Sequence, residues 1–342
     1  MLTLTDIIAP IVVFGLIVLI HEGGHFVTAK LTGMKVEEFA VGFGPKIWSK
    51  QVGETLYSLR AFPLGGFNKI MGMAPGESTD PRAFTERPVW ARLVVISAGS
   101  FMNILSAFLI FAGIFLTIGV QSFPNRPEIG SVMANSPAAS VGIQPGDTIV
   151  SIKGVPISQW TDMAPVLGKE AKHIVPLEIR RNGEIKKISV IPEESQDGRA
   201  VIGVTPALDS HPVSIGQALY LGADRSVFVV KMVFEGIAGA VTGESKDVSG
   251  PIGIARMAGN VADAGMLQFF LFIAIISLNL GIMNLFPIPL LDGGLFFLTL
   301  GEAIFRRKLP DTALYYIQAA GITILVAMFL YGTMNDISSL LK

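Results

Sequence analysis

The hydrophobic positions of the chain gather into four long stretches that are separated by polar segments. They run over 7–29, 93–120, 266–286 and 313–331. Each holds about 20 or more mostly apolar residues, the length of helix needed to cross a hydrocarbon layer of about 30 Å. The third stretch breaks at Pro287 and Pro289, and the fourth is interrupted by Gln318. The pattern predicts a polytopic α-helical membrane protein with four transmembrane helices.

Composition supports this prediction and removes several kinds of chemistry. Of the 342 residues, 51% are hydrophobic and 15% are charged, whereas about 25% charged residues is usual in soluble domains. The net charge is −1, so no bulk attraction to nucleic acid is expected. The chain contains no cysteine, which excludes disulfides, thiol catalysis and cysteine-ligated zinc. Membrane lipid is an expected partner, and nucleic acid is not.

The basic residues predict how the chain is oriented. With four spans, the segment between the first two and the link between the last two lie on the same side of the membrane. Their basic residues are Lys30, Lys35, Lys46, Lys50, Arg60, Lys69, Arg82, Arg87 and Arg92, and then Arg306, Arg307 and Lys308. Short loops rich in Lys and Arg favour the cytoplasm. Both termini and the long segment 121–265 are then expected outside.

The first cytoplasmic loop carries the signals of a β-hairpin. Residues 55–62 form an extended pattern, and Pro63-Leu-Gly-Gly-Phe67 has the composition of a turn. A hairpin with an apolar tip can dip back toward the membrane where protein or a cavity receives its backbone. A small surface hairpin is the alternative. We expect a cytoplasmic, membrane-associated β-hairpin.

The outer segment contains a β-rich module over 126–206. Its marks are the run Gly142-Ile-Gln-Pro-Gly-Asp147, alternating strands at 175–180 and 186–191, and a helix at about 161–170. This pattern resembles a PDZ domain, a module that binds an extended peptide as an additional strand. The alternative is a spacer that occludes the membrane site without holding a peptide.

The chain therefore divides into four expected segments. These are a first part of the membrane core (1–125), the PDZ domain (126–206), a juxtamembrane amphipathic segment (207–265) and a second part of the membrane core (266–342). In the third segment, Arg225, Lys231 and Glu235 argue against a fifth span. They favour an amphipathic helix at the membrane interface.

The candidate chemistry lies at His21-Glu22-Gly23-Gly24-His25, near the end of the first apolar stretch. Histidines four residues apart lie on one face of a helix, one turn from each other, so both imidazoles can bind one metal ion. The glutamate between them lies beside the ion and can take a proton from a water there. Ionisable groups inside a membrane span are costly and usually mark a functional site.

Two histidines do not complete a catalytic zinc site, which normally has three protein ligands. The two remaining histidines fall in the outer segment, and Asp292 is the acid of the third apolar region. The expected depths of His21 and Asp292 in the membrane are similar. Counted along the helix from the cytoplasmic end, His21 lies about 14 Å from Lys30 and Asp292 about 21 Å from Arg306. An aspartate that caps the helix after the Pro-x-Pro break is the alternative.

With these residues the chain resembles the site-2 protease family of intramembrane zinc metalloproteases, in its bacterial branch with a PDZ domain. The resemblance rests on His21-Glu-x-x-His25 together with Asn284-x-x-Pro-x-Pro-x-Leu-Asp-Gly293. It extends to Gly42-x-Gly44, the Pro63–Phe67 loop and Gly99-Ser-Phe-Met-Asn103, and so covers nearly the whole chain. It implies a multi-pass protein of the bacterial inner membrane, with its active site near the cytoplasmic side.

The resemblance also implies a role for each site residue. His21, His25 and Asp292 would bind Zn²⁺, and Glu22 would be the catalytic base. Asn284 and Asn103 would help to hold the substrate strand, beside the loop edge formed by Gly65, Gly66 and Phe67. The implied substrates are transmembrane segments of single-span membrane proteins, such as anti-sigma factors or remnant signal peptides.

Two other classes of function compete with the protease. A catalytically inactive membrane scaffold would bind partners through its PDZ domain, but it would not need the intact Glu22. A metal transporter would use the His and Asp residues as a relay, and a second set of intramembrane ligands would then be expected. The sequence shows no such set, so it favours the protease.

Overall fold

The computed structural model describes residues 3–73, 80–168, 170–195, 198–242, 250–307 and 310–340. They form two compact units. The helical unit comprises Met1–Ile114 and Ile215–Lys342, and the β-rich unit comprises Phe115–Ser214. Lys308, one of the basic residues of the last predicted loop, lies outside the described residues.

The described residues form helices and strands with the following bounds. The helices are α1 (Leu4–Leu31), α2 (Val89–Ile118), α3 (Pro137–Ser140), α4 (Met163–Leu167), α5 (Ile215–Thr242), α6 (Pro251–Ala264), α7 (Met266–Asn284), α8 (Asp292–Phe305) and α9 (Asp311–Leu340). The strands are β1 (Val36–Val52), β2 (Thr55–Ile70), β3 (Val120–Ser122), β4 (Ile129–Val132), β5 (Thr148–Ile152), β6 (Val155–Pro156), β7 (Val175–Arg181), β8 (Glu184–Val190), β9 (Glu193–Glu194), β10 (Ala200–Val201), β11 (Val204–Pro206) and β12 (Asp209–His211).

Four of these helices are long and apolar enough to cross a membrane, as the hydrophobic pattern predicts. They are α1, α2, α7 and most of α9. The first begins with a capping box, in which the Thr3 hydroxyl accepts from the Asp6 amide and the Asp6 carboxylate accepts from the Thr3 amide. The third apolar stretch ends its helix at Asn284, just before the two prolines, and α8 begins only at Asp292.

The long helix α5 lies against α2 and α7. Gly222 approaches Ala112 so closely that a Cβ at Gly222 would lie 2.8 Å from the Ala112 nitrogen. About two turns further along, Val229 is buried in the same cluster as Phe111 and other side chains of α2 and α7. The ring of Phe234 lies 6.1 Å from that of Phe286. A helix is present where the amphipathic one was predicted, and it contacts the apolar helices over about three turns. Its location at the membrane interface stays a prediction.

The strands β1 and β2 form a hairpin whose turn differs from the predicted one. The chain reverses at Gly53 and Glu54, between the two strands. Pro63–Phe67, predicted as a turn, lies inside β2, so that prediction was wrong. Its glycines serve a bend in a long strand instead, since Gly65 has a φ of 112° and Gly42 on the partner strand a φ of 87°.

Because both strands bend, β1 is paired on two sides. Residues 38–41 lie opposite 66–69 on one side and opposite 56–59 on the other. Residues 66–70 pair only with β1 within the described residues, so they form an edge of this sheet. This edge follows directly from the Gly65-Gly66 bend.

The β-rich unit packs short strands around one apolar core. Its largest sheet has the order β6-β5-β7-β8, with Val175 opposite Val190. The core is made of alternating strand residues and of residues from α3 and α4, among them Ile149, Leu177 and Leu167. The predicted strands at 175–180 and 186–191 are present within two residues at each end, and the predicted helix is shorter, at Met163–Leu167.

Candidate metal centre

Helix α1 carries His21 and His25 on the side that meets α2, and Glu22 on the side that meets β2. Both histidines are buried, with 8% of each residue exposed. The helices approach closely at Gly24, where an added Cβ would lie 2.8 Å from the Met102 side chain. Close packing therefore requires glycine at position 24. At Gly23, by contrast, an added Cβ would meet no atom within 4 Å. The structure offers no packing reason for Gly23.

Asp292 reaches the histidines because the chain folds sharply after α7. Leu290, in the connector, has a φ of 79°, in the left-handed region that is uncommon for such a residue. Gly293 and Gly294 lie directly against the connector backbone, and a Cβ on either would collide with a carbonyl of that segment. Asp292 is the first residue of α8 and not its N-cap, which is Leu291, and its carboxylate accepts a hydrogen bond from Ser100 of α2. The same carboxylate faces the histidines.

Three potential ligand atoms form a nearly equilateral triangle. The two Nε2 atoms of His21 and His25 lie 3.2 Å apart. Asp292 Oδ2 lies 3.4 Å from His21 Nε2 and 3.5 Å from His25 Nε2. Tetrahedral ligands about 2.0–2.2 Å from a zinc ion lie roughly 3.3–3.5 Å from one another. The donor set and its spacing therefore fit a zinc ion with one position left open.

Helix α2 supports each of the three ligands from behind. The main-chain oxygen of Val95 lies 2.7 Å from His25 Nδ1, and the Ser100 hydroxyl donates to Asp292 Oδ2 over 3.0 Å. The Asn103 amide lies 3.3 Å from His21 Nδ1. Partners of this kind set the tautomer and the direction of a metal-binding imidazole. The three contacts lie on one face of α2, one or two turns apart.

The Asn103 contact determines which way its amide faces. When His21 binds a metal through Nε2, its Nδ1 carries the proton and needs an acceptor. The amide oxygen of Asn103 is buried and otherwise has no hydrogen-bond partner among the described atoms. Turning the amide by half a rotation makes this oxygen the acceptor, and such rotations are assigned from the hydrogen-bond network. Asn103 thus lies behind a ligand.

Gly99 leaves the space that the two imidazoles occupy. A Cβ at this position would touch His25 Nε2 and would lie 2.7 Å from His21 Cε1. Any other residue in this position of α2 would push against both ligands. Gly99 therefore allows α2 to approach both imidazoles closely, and its neighbour Ser100 donates a hydrogen bond to Asp292.

The metal-binding atoms face a cavity of about 280 Å³. The predicted residues among its lining are His21, Glu22, His25, Phe67, Asn284 and Asp292. Gly66 lies at its margin, since an added Cβ would be 3.6 Å from Glu22 Cγ. Gly65 and Asn103 are not among the lining residues, because Gly65 packs on Phe43 and Asn103 is fully buried behind His21.

One polar residue of the cavity lining was missed by the sequence analysis, together with the apolar residues Ile70, Met73, Leu290 and Leu291. Asn68, on the edge segment of β2, donates to Glu22 Oε2 over 2.8 Å and to the Glu22 main-chain oxygen over 2.6 Å. The supporting residues Val95 and Ser100 were also missed. For Asn68 the only signal was a polar residue beside Phe67, and for Ser100 its place in the Gly99–Asn103 motif.

The site and the fold together define a class of protein: a membrane metalloprotease with two candidate ligands on a helix long enough to span a membrane and the third at the start of the short helix α8. Comparison with known families agrees, because residues 9–328 match the model of Peptidase family M50. The chain belongs to this family, the site-2 protease family, and is a zinc metalloprotease.

Two relatives show how far the similarity extends. A putative zinc metalloprotease of Clostridium acetobutylicum is 38% identical over 335 residues, which cover 97% of each chain. The Regulator of sigma-W protease RasP of Bacillus subtilis is 30% identical over 417 aligned positions, covering 98% of each. The family assignment favours the enzyme over the scaffold and transporter hypotheses.

Among solved structures, a PDZ domain of an SdrC-like protein from Listeria monocytogenes resembles part of the chain. The match covers 25% of this chain and 93% of that domain, with 19% sequence identity and a TM-score of 0.23. What the β-rich unit binds stays open to experiment.

Proposed function

We propose that this protein cleaves peptide bonds within the transmembrane segments of single-span membrane proteins. The observation that supports this most directly is the position of the metal centre. His21 and His25 on the membrane-length helix α1 form a zinc-sized triangle with Asp292 at the start of α8, and Glu22 lines the same cavity. A protease site built at that depth is suited to substrates that lie in the membrane themselves.

Each residue of the site has a defined task in this reaction. His21, His25 and Asp292 hold the zinc ion, which supplies Lewis acidity toward a water molecule and toward the scissile carbonyl. Glu22 is the general base that takes a proton from this water and later returns one to the leaving amine. Ser100 and Asn103 hold the ligands in direction. Asn103 is therefore assigned to the metal centre rather than to the substrate strand.

The edge segment of β2 is suited to receive the substrate. A transmembrane helix satisfies its own peptide groups, so it must unwind locally before a bond can be cut. Pairing with an exposed strand edge satisfies the freed groups, as in other strand-addition complexes. Residues 66–70 pair on one side only in the described structure, and Phe67 lines the cavity. Asn284 lines the same cavity and is placed to hold the substrate strand.

The substrates and the orientation complete the proposal. One relative carries the name Regulator of sigma-W protease, which supports regulated cleavage of anti-sigma factors, with remnant signal peptides as a second group. The family supports a location in the bacterial inner membrane, and the basic loop residues favour an orientation with both termini and the segment 121–265 outside. The active site then opens near the cytoplasmic side.

The test uses a panel of synthetic reporter peptides. Each contains one apolar segment of about 20 residues, helix-destabilising residues at its centre, and a fluorophore and a quencher at its ends. Purified wild-type protein should cut at least one of them within the apolar segment. Glu22→Gln should retain zinc and lose cleavage by several orders of magnitude. Full activity of zinc-loaded Glu22→Gln, or no cleavage of any reporter by the wild type, would contradict the proposal.

A further inference from the structure

Asn68 connects the edge segment of β2 to the catalytic turn of α1. It lies opposite Phe39 in the sheet and lines the metal cavity together with its neighbour Phe67. Its side-chain nitrogen makes two hydrogen bonds, and both acceptors belong to Glu22. The two residues are 46 positions apart in the chain, so this contact exists only because the strand lies against the helix.

The chemistry of the contact determines how the amide is oriented. A carboxylate and a main-chain carbonyl can only accept hydrogen bonds, so the NH₂ group of Asn68 must face both. A primary amide has two N–H bonds, and here each has its own acceptor on one residue. Serine or threonine, with one O–H, could not make both contacts.

The hydrogen bond from Asn68 occupies one oxygen of the Glu22 carboxylate and leaves the other oxygen free to accept a proton. Oε2 accepts from Asn68, while Oε1 has no hydrogen-bond partner in the described part of the chain. A free glutamate side chain samples many rotamers, and holding it in one of them has an entropic cost. Since Asn68 maintains a single direction before the substrate arrives, Oε1 remains the oxygen that is ready to receive a proton.

Stability alone does not explain an asparagine at this position. The Asn68 amide oxygen is buried and has no hydrogen-bond partner among the described atoms. A buried polar atom without a partner destabilises a fold. A polar group retained under that cost points to a task in the site.

We propose that Asn68 is the positioning residue of the catalytic base, which it holds from the strand that receives the substrate. The inference rests on the proposed role of Glu22 as the base. It adds a residue whose side chain acts on Glu22 and not on the zinc ion. Asn68 therefore affects the rate of the chemical step and leaves metal binding unchanged.

The test compares four substitutions in the full-length, zinc-loaded protein, with the reporter that the wild type cuts best. Asn68→Leu and Asn68→Asp keep the approximate shape and remove the donor, whereas Asn68→Gln keeps the donor on a longer side chain. Lys50→Gln is the control in the same hairpin, because Lys50 is an exposed residue of β1 that lies outside the edge segment and outside the cavity lining. Zinc content and thermal stability are measured for each variant.

The expected result is a selective loss of turnover. Asn68→Leu and Asn68→Asp should lower kcat roughly 10- to 100-fold, the range found for partners that orient site residues. KM should stay within about twofold and zinc content should not change, because neither the strand backbone nor the ligands are altered. Asn68→Gln should recover part of kcat, and Lys50→Gln should match the wild type.

A second measurement separates positioning from substrate binding. In the Glu22→Gln background, affinity for the same reporter is measured with Asn68 or with Leu at position 68. Equal affinities support the proposal, whereas weaker binding with Leu would show that Asn68 is a substrate contact. Unchanged kcat in Asn68→Leu, or loss of its zinc, would also overturn the proposal. Failure of the proposed function itself would appear separately, as activity in Glu22→Gln.

Discussion

The helical unit and the β-rich unit each contain an aspartate beside a glycine-rich motif, and they use it in opposite ways. Asp147 is 1% exposed. It accepts from Arg181 Nε and Nη2, each over 2.7 Å, and from the Gln144 amide over 2.9 Å. Asp292 accepts from Ser100, and its other near neighbours are the two histidine nitrogens. One carboxylate is saturated by the protein, and the other is not.

The difference shows what leaves a carboxylate able to bind a metal ion. A carboxylate paired with a guanidinium has its charge balanced and its lone pairs used, so it contributes to folding. A carboxylate that faces neutral imidazoles keeps its charge and its acceptor capacity for a cation. The Gly-x-x-Pro-Gly-Asp motif thus stabilises the β-rich unit, whereas Asp292 keeps its carboxylate available for a cation. Four predictions test this contrast, and they are ordered by expected effect.

The largest effect is expected for Asp292→Ala. This variant should lose most of its zinc, well beyond the 10- to 100-fold weakening typical of a supporting residue. The β-rich unit should keep its hydrogen-exchange protection, because Asp292 belongs to the other unit. Metal content of the purified protein is the measurement, with Asp147→Ala as the control. Unchanged zinc in Asp292→Ala would remove Asp292 from the ligand set.

Asp147→Ala should give the reverse result. Removal of the carboxylate takes away the acceptor of three hydrogen bonds, from Arg181 Nε, Arg181 Nη2 and the Gln144 amide, so the β-rich unit should become less stable. Hydrogen exchange of 115–214 in the full chain should report this loss, with zinc content unchanged. A double variant with Arg181→Met should recover part of the stability. A loss of zinc in Asp147→Ala would break the contrast between the two units.

A smaller effect is expected for Gly99→Ala, compared with the same change at Gly113 of α2. The new methyl group at position 99 would press on both histidines, while at position 113 it meets nothing within 4 Å. Zinc affinity should fall roughly 10- to 100-fold in the first variant. Gly113→Ala should leave it unchanged and favour the helix by up to about 1 kcal/mol. Chelator competition measures both, and equal affinities would contradict the close packing at Gly99.

The smallest effect is a dependence on pH. Burial alone would raise the pKa of the Asp147 carboxyl, but hydrogen bonds from Arg181 and the Gln144 amide outweigh it and hold the pKa below its ordinary value. The stability that this pair contributes is present above about pH 4, the ordinary value, and is lost as the pH falls through the lowered pKa. Hydrogen exchange of the β-rich unit should show this decline in the wild type. The same measurement on Asp147→Asn should show a weaker decline.

The hairpin marks a limit of prediction from local patterns. The Pro63–Phe67 run has turn composition, yet it lies within β2 because its bend occurs inside a strand that is paired with β1. Turn residues permit several backbone paths, and only the pairing partner selects among them. The edge at 66–70 and the placement of Asn68 both depend on that selection.

Local sequence patterns were sufficient to predict the helices of membrane-spanning length and the candidate metal ligands. Hydrophobic runs of membrane-spanning length define four helices, because burial in hydrocarbon depends on composition over about 20 residues. The four-residue spacing of His21 and His25 places them on one face through helix geometry alone. Asp292 was identified because an acid in an apolar region needs a partner.

The supporting contacts were decided only by the tertiary structure. Asn68 meets Glu22 across 46 positions, and Asn103 meets His21 across 82. Such contacts depend on the register of β2 and on the rotation of α2 about its axis, which arise from packing of the whole helical unit. An asparagine in isolation has the same donors and acceptors at any site. Its neighbours in space, which no short sequence pattern encodes, determine whether it positions a ligand, a base or a substrate.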